Sequence, residues 1–233
     1  MKKLLAAVLT TTTIISSTVI PSVNVSAATI SSSDYAVAFK DSLWFYDANK
    51  CGPDVAKDNV FSWRSACHTD DGKFVGSDFT GGFHDCGDHI KFGITNGYSA
   101  SIIGWSLYEF KEAYDGAGLT NKAISTLKYF TDYIMKSRVS ATKYCYHVGE
   151  PSDHDYWGPP EQQNRDRNKV YYIEPSSPAS DVCGLYSGAL SLMYLNYKDI
   201  DSTYANKCLE LSKELYALGK NRGTCKADGF YTS

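Results

Sequence analysis

Beyond the stretch from Leu4 to Ile20, this chain has no further apolar run of membrane-spanning length, so no internal transmembrane helix is expected. It also lacks a basic excess: 23 Lys and Arg stand against 26 Asp and Glu, a formal net charge of −3. That leaves no electrostatic footprint for nucleic acid, which is excluded as the expected partner. Strand patterns are weak and scattered, which points to an all-α class. An even cysteine count is missing too. Of seven cysteines, at least one must be free, metal-bound or bridged to another chain, although Cys208 and Cys225 have the spacing to pair across a helix end.

What is present begins with an export signal. Lys2 and Lys3 precede the apolar run, and Val25-Ser26-Ala27-Ala28 supplies small residues for cleavage. Threonines dilute the run and no charged stop-transfer follows, so residues 1–28 read as a secretory signal peptide rather than an anchor. The expected product is secreted, with no membrane contact after cleavage. Aromatic content is high at 14%, including 18 Tyr and 4 Trp. Such rings combine a flat apolar face with a polar tip, which suits both cores and wet clefts.

Residues 29–233 read as helices separated by long irregular segments. Asp34 is placed to cap a helix running to about Asn49, with Tyr35, Phe39, Ser42 and Phe45/Tyr46 on its inner face. Residues 50–95 carry no sustained period, and loops of that length are usually functional or held by something. Tyr98, Ile102, Trp105 and Tyr108 then repeat at helical spacing from Asn96 to Asp115, before Gly116-Ala117-Gly118 breaks the pattern. Thr120 caps the expected partner helix, with Ile124, Leu127, Phe130 and Ile134 on one face. After a second irregular stretch, 138–179, Ser180 caps a helix with Leu185, Ala189, Leu192 and Leu195 inside. Its partner carries Tyr204, Cys208, Leu211, Leu215 and Leu218. One helix plus two αα-hairpins results, with the chemistry on the loops.

The densest chemistry lies in Thr80-Gly81-Gly82-Phe83-His84-Asp85-Cys86-Gly87-Asp88-His89-Ile90-Lys91-Phe92-Gly93. Four glycines, two carboxylates, two imidazoles and an ammonium fall in fourteen residues without an amphipathic period. Glycine at that density marks a tight turn or close approach of a ligand to the main chain. In a turn, Asp85 and Asp88 can share one water; in a strand they would point apart. Two plainer readings stand beside catalysis: aspartates bonding their own backbone, and a calcium loop, which needs more oxygen ligands than are present.

This loop, with Asp78 and Phe79 before it, resembles the aspartate loop of glycoside hydrolase family 9, which is largely cellulases. Further similarity runs in order along the chain: Phe45-Tyr46 before Cys51-Gly52, Trp63-Arg64, Asp132-Tyr133-Ile134 with Lys136, and His147-Val148-Gly149-Glu150. Asp153-His154, Trp157-Gly158-Pro159-Pro160-Glu161 and Pro178-Ala179-Ser180-Asp181-Val182 complete it. The resemblance implies an all-α fold, an incomplete (α/α)6 barrel of helical hairpins, with 29–233 as the N-terminal part of a truncated catalytic domain. It implies inversion at the anomeric centre, with base and acid carboxyls roughly 6.5–9.5 Å apart. Asp88 would be the base and Asp85 would orient the water and the base. The family's glutamate acid lies in a segment that this chain does not match, so Glu150, Glu161 and Glu174 are not promoted to that role.

By the same resemblance, His154 bonds sugar hydroxyls, Trp157 stacks under a ring and Tyr231 lines the same cleft. A family calcium site falls outside this chain. Cys51, Cys67, His68 and His84 offer two thiolates and two imidazoles, a proper zinc set able to tie down the 50–95 loop. A subset of the family carries a structural zinc with this pattern; a Cys51–Cys67 disulfide is the other reading. Cys86 stands where the family usually has alanine. The expected activity is endo-hydrolysis of a β-1,4-glucan such as cellulose. Alternatives are a non-catalytic carbohydrate-binding protein, or a hydrolase of xylan or xyloglucan.

Overall fold

A computed structural model describes residues 30–85 and 87–222, and the described residues from Ser32 onward form one compact unit. The expected signal segment, Cys86, Cys225 and Tyr231 lie outside the described residues. Among the described residues six α-helices carry the core: α1 Ser32–Asn49, α2 Gly93–Glu109, α3 Lys111–Gly116, α4 Thr120–Lys136, α5 Ser180–Tyr197 and α6 Ser202–Arg222. Among the described residues no helix is long and apolar enough to cross a membrane.

α5 and α6 pack as a hairpin, and α5 also lies along α2, which in turn packs on α4. The α2–α5 contact is close because glycines face it. A Cβ added at Gly97 would stand 2.8 Å from that of Leu185, and one at Gly104 would stand 2.8 Å from that of Leu192. Leu127, Phe130 and Ile134 of α4 are buried as their spacing predicts, as are Cys208 and Leu215 of α6. These meet Val182, Tyr186, Ala189 and Met193 of α5 in the main core.

Several expected faces are rotated. Tyr98, Ile102, Trp105 and Tyr108 all lie on the exposed side of α2, because the buried side is given to Asn96, Gly97, Ala100, Ile103, Gly104 and Leu107. α1 buries Leu43 and Asp47, with Phe39 and Tyr46 partly covered, while Tyr35, Ser42 and Phe45 face out. In α5 Leu195 is exposed and Leu185 only half-buried, since Val182, Cys183 and Tyr186 take the inner side. Thr120 and Ser180 are first helical residues rather than caps, with Leu119 and Ala179 before them making no side-chain cap. The expected helix through Asp115 breaks at Phe110, where the backbone leaves helical geometry and α3 begins.

The irregular segments also contain a small sheet that the weak strand signals did not reveal. Its centre is β3 Lys143–Val148, bordered by β4 Val170–Ile173 along one edge. β1 Lys91–Phe92 and β2 Arg138–Ser140 pair antiparallel with the two ends of the other edge. β3 is buried almost throughout, so it lacks the polar alternation that marks a half-exposed strand. Pairing of Lys91 with Val148 and Phe92 with His147 locks the end of the aspartate loop to the loop that follows β3.

Candidate active site and metal centre

The aspartate loop is held from below by the core. Phe83 stacks on Phe130 with ring centroids 3.8 Å apart. The Asn96 side chain accepts from the Phe83 amide and donates to its carbonyl, both at 3.0 Å. With residue 83 anchored, the chain turns at the rim: the Asp85 N–H donates to the Ile90 carbonyl at 2.9 Å, and Gly87 sits at φ +97°, a region that side-chain-bearing residues rarely adopt. Asp85 and Asp88 are thus on a turn, as a shared water requires, and both line one open cleft of about 280 Å³ with Asn49, Tyr156, Trp157 and Pro160.

Asp88 is buried and its two oxygens have distinct partners. Oδ1 accepts the Ile90 N–H at 2.8 Å, so the turn also makes the local bond that aspartates commonly make. Oδ2 lies 2.9 Å from Nδ1 of His154, a half-exposed imidazole. His154 rides on a short 3-10 turn, Pro151–Asp155, fixed by the buried Asp153, whose Oδ2 accepts the Glu150 N–H at 2.7 Å. Trp157 is 76% exposed, and its indole lies beside Gly87, where an added Cβ would be 3.5 Å from the ring. An exposed indole against bare backbone, beside two carboxylates, is a flat apolar platform next to a place for a water.

The three glutamates that sequence analysis set aside differ in setting. Glu161 accepts from Arg64 Nε at 2.7 Å and from the Ser65 N–H at 3.1 Å, which commits it to holding the long loop. Glu174 pairs with Lys143 at 3.3 Å. The Glu150 main chain serves the Asp153 turn.

Cys51, Cys67, His68 and His84 come together: their ligand atoms all lie within 4.8 Å of one another, and all four residues are buried. Cys51 and Cys67 are free thiols, so the disulfide reading is not what the structure holds. Antiparallel bridges between Gly52 and Cys67 and between Lys50 and Phe83 bring the three segments side by side. A hydrogen bond from the Cys51 thiol brings Cys67 down to about 7, whereas burial pushes Cys51 well up. Burial keeps His84 neutral. His68 Nδ1 faces His84 Nε2 at 3.0 Å and Cys51 Sγ at 3.7 Å. Soft sulfur and imidazole donors converging in a dry site suit zinc better than calcium or magnesium.

Sequence reasoning missed the buried polar frame behind both sites. Lys91 Nζ meets Asp71 at 2.8 Å, Asp71 meets Arg167 Nε at 3.0 Å, and Arg167 reaches Asp153 at 3.3 Å. Gln163 joins Asp153 to His68 and His89. The one available signal was the density of charged residues through 161–169.

The chain matches the family profile "Glycosyl hydrolase family 9" over residues 35–233. It is 34% identical to Endoglucanase A of Bacillus pumilus over 216 residues, covering 90% of this chain and 32% of that protein. Endoglucanase 18 of Oryza sativa subsp. japonica is 34% identical over 192 residues, 82% of this chain and 36% of that protein. The cellulase Cel9M of C. cellulolyticum superposes with a TM-score of 0.83 at 58% identity, covering 86% of this chain and 48% of that one. A termite endoglucanase from Nasutitermes takasagoensis gives 0.79 at 33% identity, covering 82% and 44%. The chain therefore spans about a third of the length of these curated relatives and about half of the solved ones. Those solved cellulases have an (α/α)6 barrel, of which the helices here are a part. A profile matched along nearly the whole chain, over a turn bearing two cleft-lining aspartates, means that this chain belongs to glycosyl hydrolase family 9.

Proposed function

We propose that this chain supplies the base side of the active site of a secreted endo-β-1,4-glucanase that cleaves with inversion. Asp88 takes the proton of the attacking water, and Asp85, on the same cleft, orients that water. His154 donates from Nδ1 to Asp88, and this half-exposed imidazole also bonds a sugar hydroxyl. Trp157 offers its face to the apolar side of a glucosyl unit. The proton donor is a glutamate supplied from outside the residues of this chain. Glu161 and Glu174 are poor candidates because their charges are already matched by Arg64 and Lys143.

The observation that carries this reading is the shared cleft, where Asp85, Asp88 and Trp157 form one surface. A solved relative at 58% identity is described in complex with cellobiose, which supports a β-1,4-glucan as the ligand. Cys51, Cys67, His68 and His84 would hold one zinc ion, which supplies a cross-link between loop segments and fixes His84 beside Asp85. Export after removal of residues 1–28 is part of the same proposal.

The test is hydrolysis of a soluble β-1,4-glucan by the protein that contains this chain, with the product anomer followed by NMR. Asp88→Asn should lower turnover by about 100-fold or more while cello-oligosaccharide binding persists. Wild-type turnover in that variant would remove Asp88 as the base, and binding without any turnover in the wild type would favour a carbohydrate-binding protein.

A further inference from the structure

We propose that Gln163 is a positioning residue that joins the Cys51/Cys67/His68/His84 centre to the turn bearing Asp88. The inference rests on the reading of that cluster as a metal centre. Its amide touches three segments. Oε1 lies 2.7 Å from His68 Nε2 and 2.9 Å from His89 Nδ1, and Nε2 lies 2.7 Å from Asp153 Oδ1. His89 directly follows Asp88, and Asp153 directly precedes the imidazole that bonds Asp88.

Chemistry sets the orientation of this amide. Asp153 is buried; its Oδ2 faces Arg167 and accepts the Glu150 N–H, and its Oδ1 is left to accept from Gln163. The amide NH2 must therefore face Asp153, which turns the carbonyl oxygen toward the two imidazoles. A carbonyl oxygen can only accept, so His68 carries its proton on Nε2 and His89 carries one on Nδ1. In the single-proton form of the ring, His68 then has a bare lone pair on Nδ1, the atom that faces Cys51 Sγ and His84 Nε2. One amide thus makes His68 ready to ligate a metal and pins the residue after the proposed base. Partners of this kind around a ligating imidazole are typically worth about 10–100-fold in metal affinity.

The test uses zinc and the full chain. In metal-free wild-type protein labelled with 15N-histidine, long-range 1H–15N spectra should show His68 as the Nε2–H tautomer; a proton on Nδ1 would overturn the assignment whatever any variant does. Competition with a chromophoric chelator should show one tight zinc in the wild type. Affinity should fall about 10–100-fold in Gln163→Leu, with His68 in mixed tautomers. Gln163→Glu keeps an acceptor for both rings but loses the donor to Asp153 and sets a second carboxylate against it, so it should retain the His68 tautomer at a cost in stability. If Gln163→Leu fails to fold, the Glu variant decides by tautomer: a His68 proton on Nδ1 there overturns the acceptor role. A wild type that binds no zinc sinks the metal centre itself. Tight zinc in the wild type with unchanged affinity and tautomer in Gln163→Leu sinks only the role of Gln163.

Discussion

The ammonium of Lys91 and the carboxylate of Asp71 meet at 2.8 Å with both side chains wholly out of water. Lys91 is the first residue of β1 and Asp71 lies in the 50–95 loop, so this pair fastens the loop to the strand that ends the aspartate turn. Lys91 also donates to the carbonyls of Phe79 and Gly81, and Arg167 supplies a second cation to Asp71. Removing the carboxylate would strand two cations inside the protein. Asp71→Asn should therefore cost about 3–5 kcal/mol, read from urea unfolding, because an uncompensated buried charge is left behind. Burial alone would raise the Asp71 carboxyl, but Lys91 and Arg167 outweigh it and bring it down to about 2. This depressed acid contributes stability that is complete above the unfolded carboxyl range and is lost as pH falls from about 4 toward 2, by roughly 2 kcal/mol.

His147 sets a second acid limit at milder pH. It is fully buried in β3 between the Phe92 and Tyr171 rings, and burial pushes it down to about 4. The unfolded chain takes up this proton near pH 6.5 and the folded chain does not. Stability from this residue is thus whole above pH 6.5 and falls as pH drops to about 4, by up to roughly 3 kcal/mol. His147→Phe should flatten that part of the pH–stability curve. An unchanged slope between pH 6.5 and 4 would contradict it.

Gly82 lies at φ +73°, and a Cβ there would stand 2.7 Å from Cγ of Tyr133, a buried ring. Neither the backbone nor the ring has room to yield. Gly82→Ala should destabilise the chain by roughly 3 kcal/mol, combining backbone strain and overpacking. Thermal unfolding measures it, and a shift within error would mean that the loop relaxes freely.

Trp157 separates binding from stability. At 76% exposure its truncation removes little packing, so Trp157→Ala should change unfolding free energy by less than about 0.5 kcal/mol. Cello-oligosaccharide affinity, measured by calorimetry, should fall about tenfold, equal to about 1.4 kcal/mol. Equal affinity in the variant would show that the sugar does not use this indole.

Local patterns were legible where one residue type serves one purpose. The period of Leu127, Phe130 and Ile134 marks a helix face that packs inward, and the glycines around Asp85 and Asp88 mark a turn. The ligand set Cys51, Cys67, His68 and His84 was legible from donor chemistry, although their spacing follows no standard finger. Gln163, Asp71 and Arg167 were not, because an amide or a charge in an irregular segment has the same local signature whether it faces water or sits in a buried frame.

By itself, the order of residues along the chain determined the helices and the turn with its paired carboxylates, since period, breakers and backbone preference act over a few neighbours. Tertiary structure alone decided which side of α2 faces inward, with glycines turned to α5 and the larger Tyr98 and Trp105 left outside. It alone brought His154 to Asp88, and Gln163 to His68 across almost a hundred residues. Those contacts depend on close packing and on the need to satisfy every buried charge and amide, and both conditions are set by the folded chain as a whole.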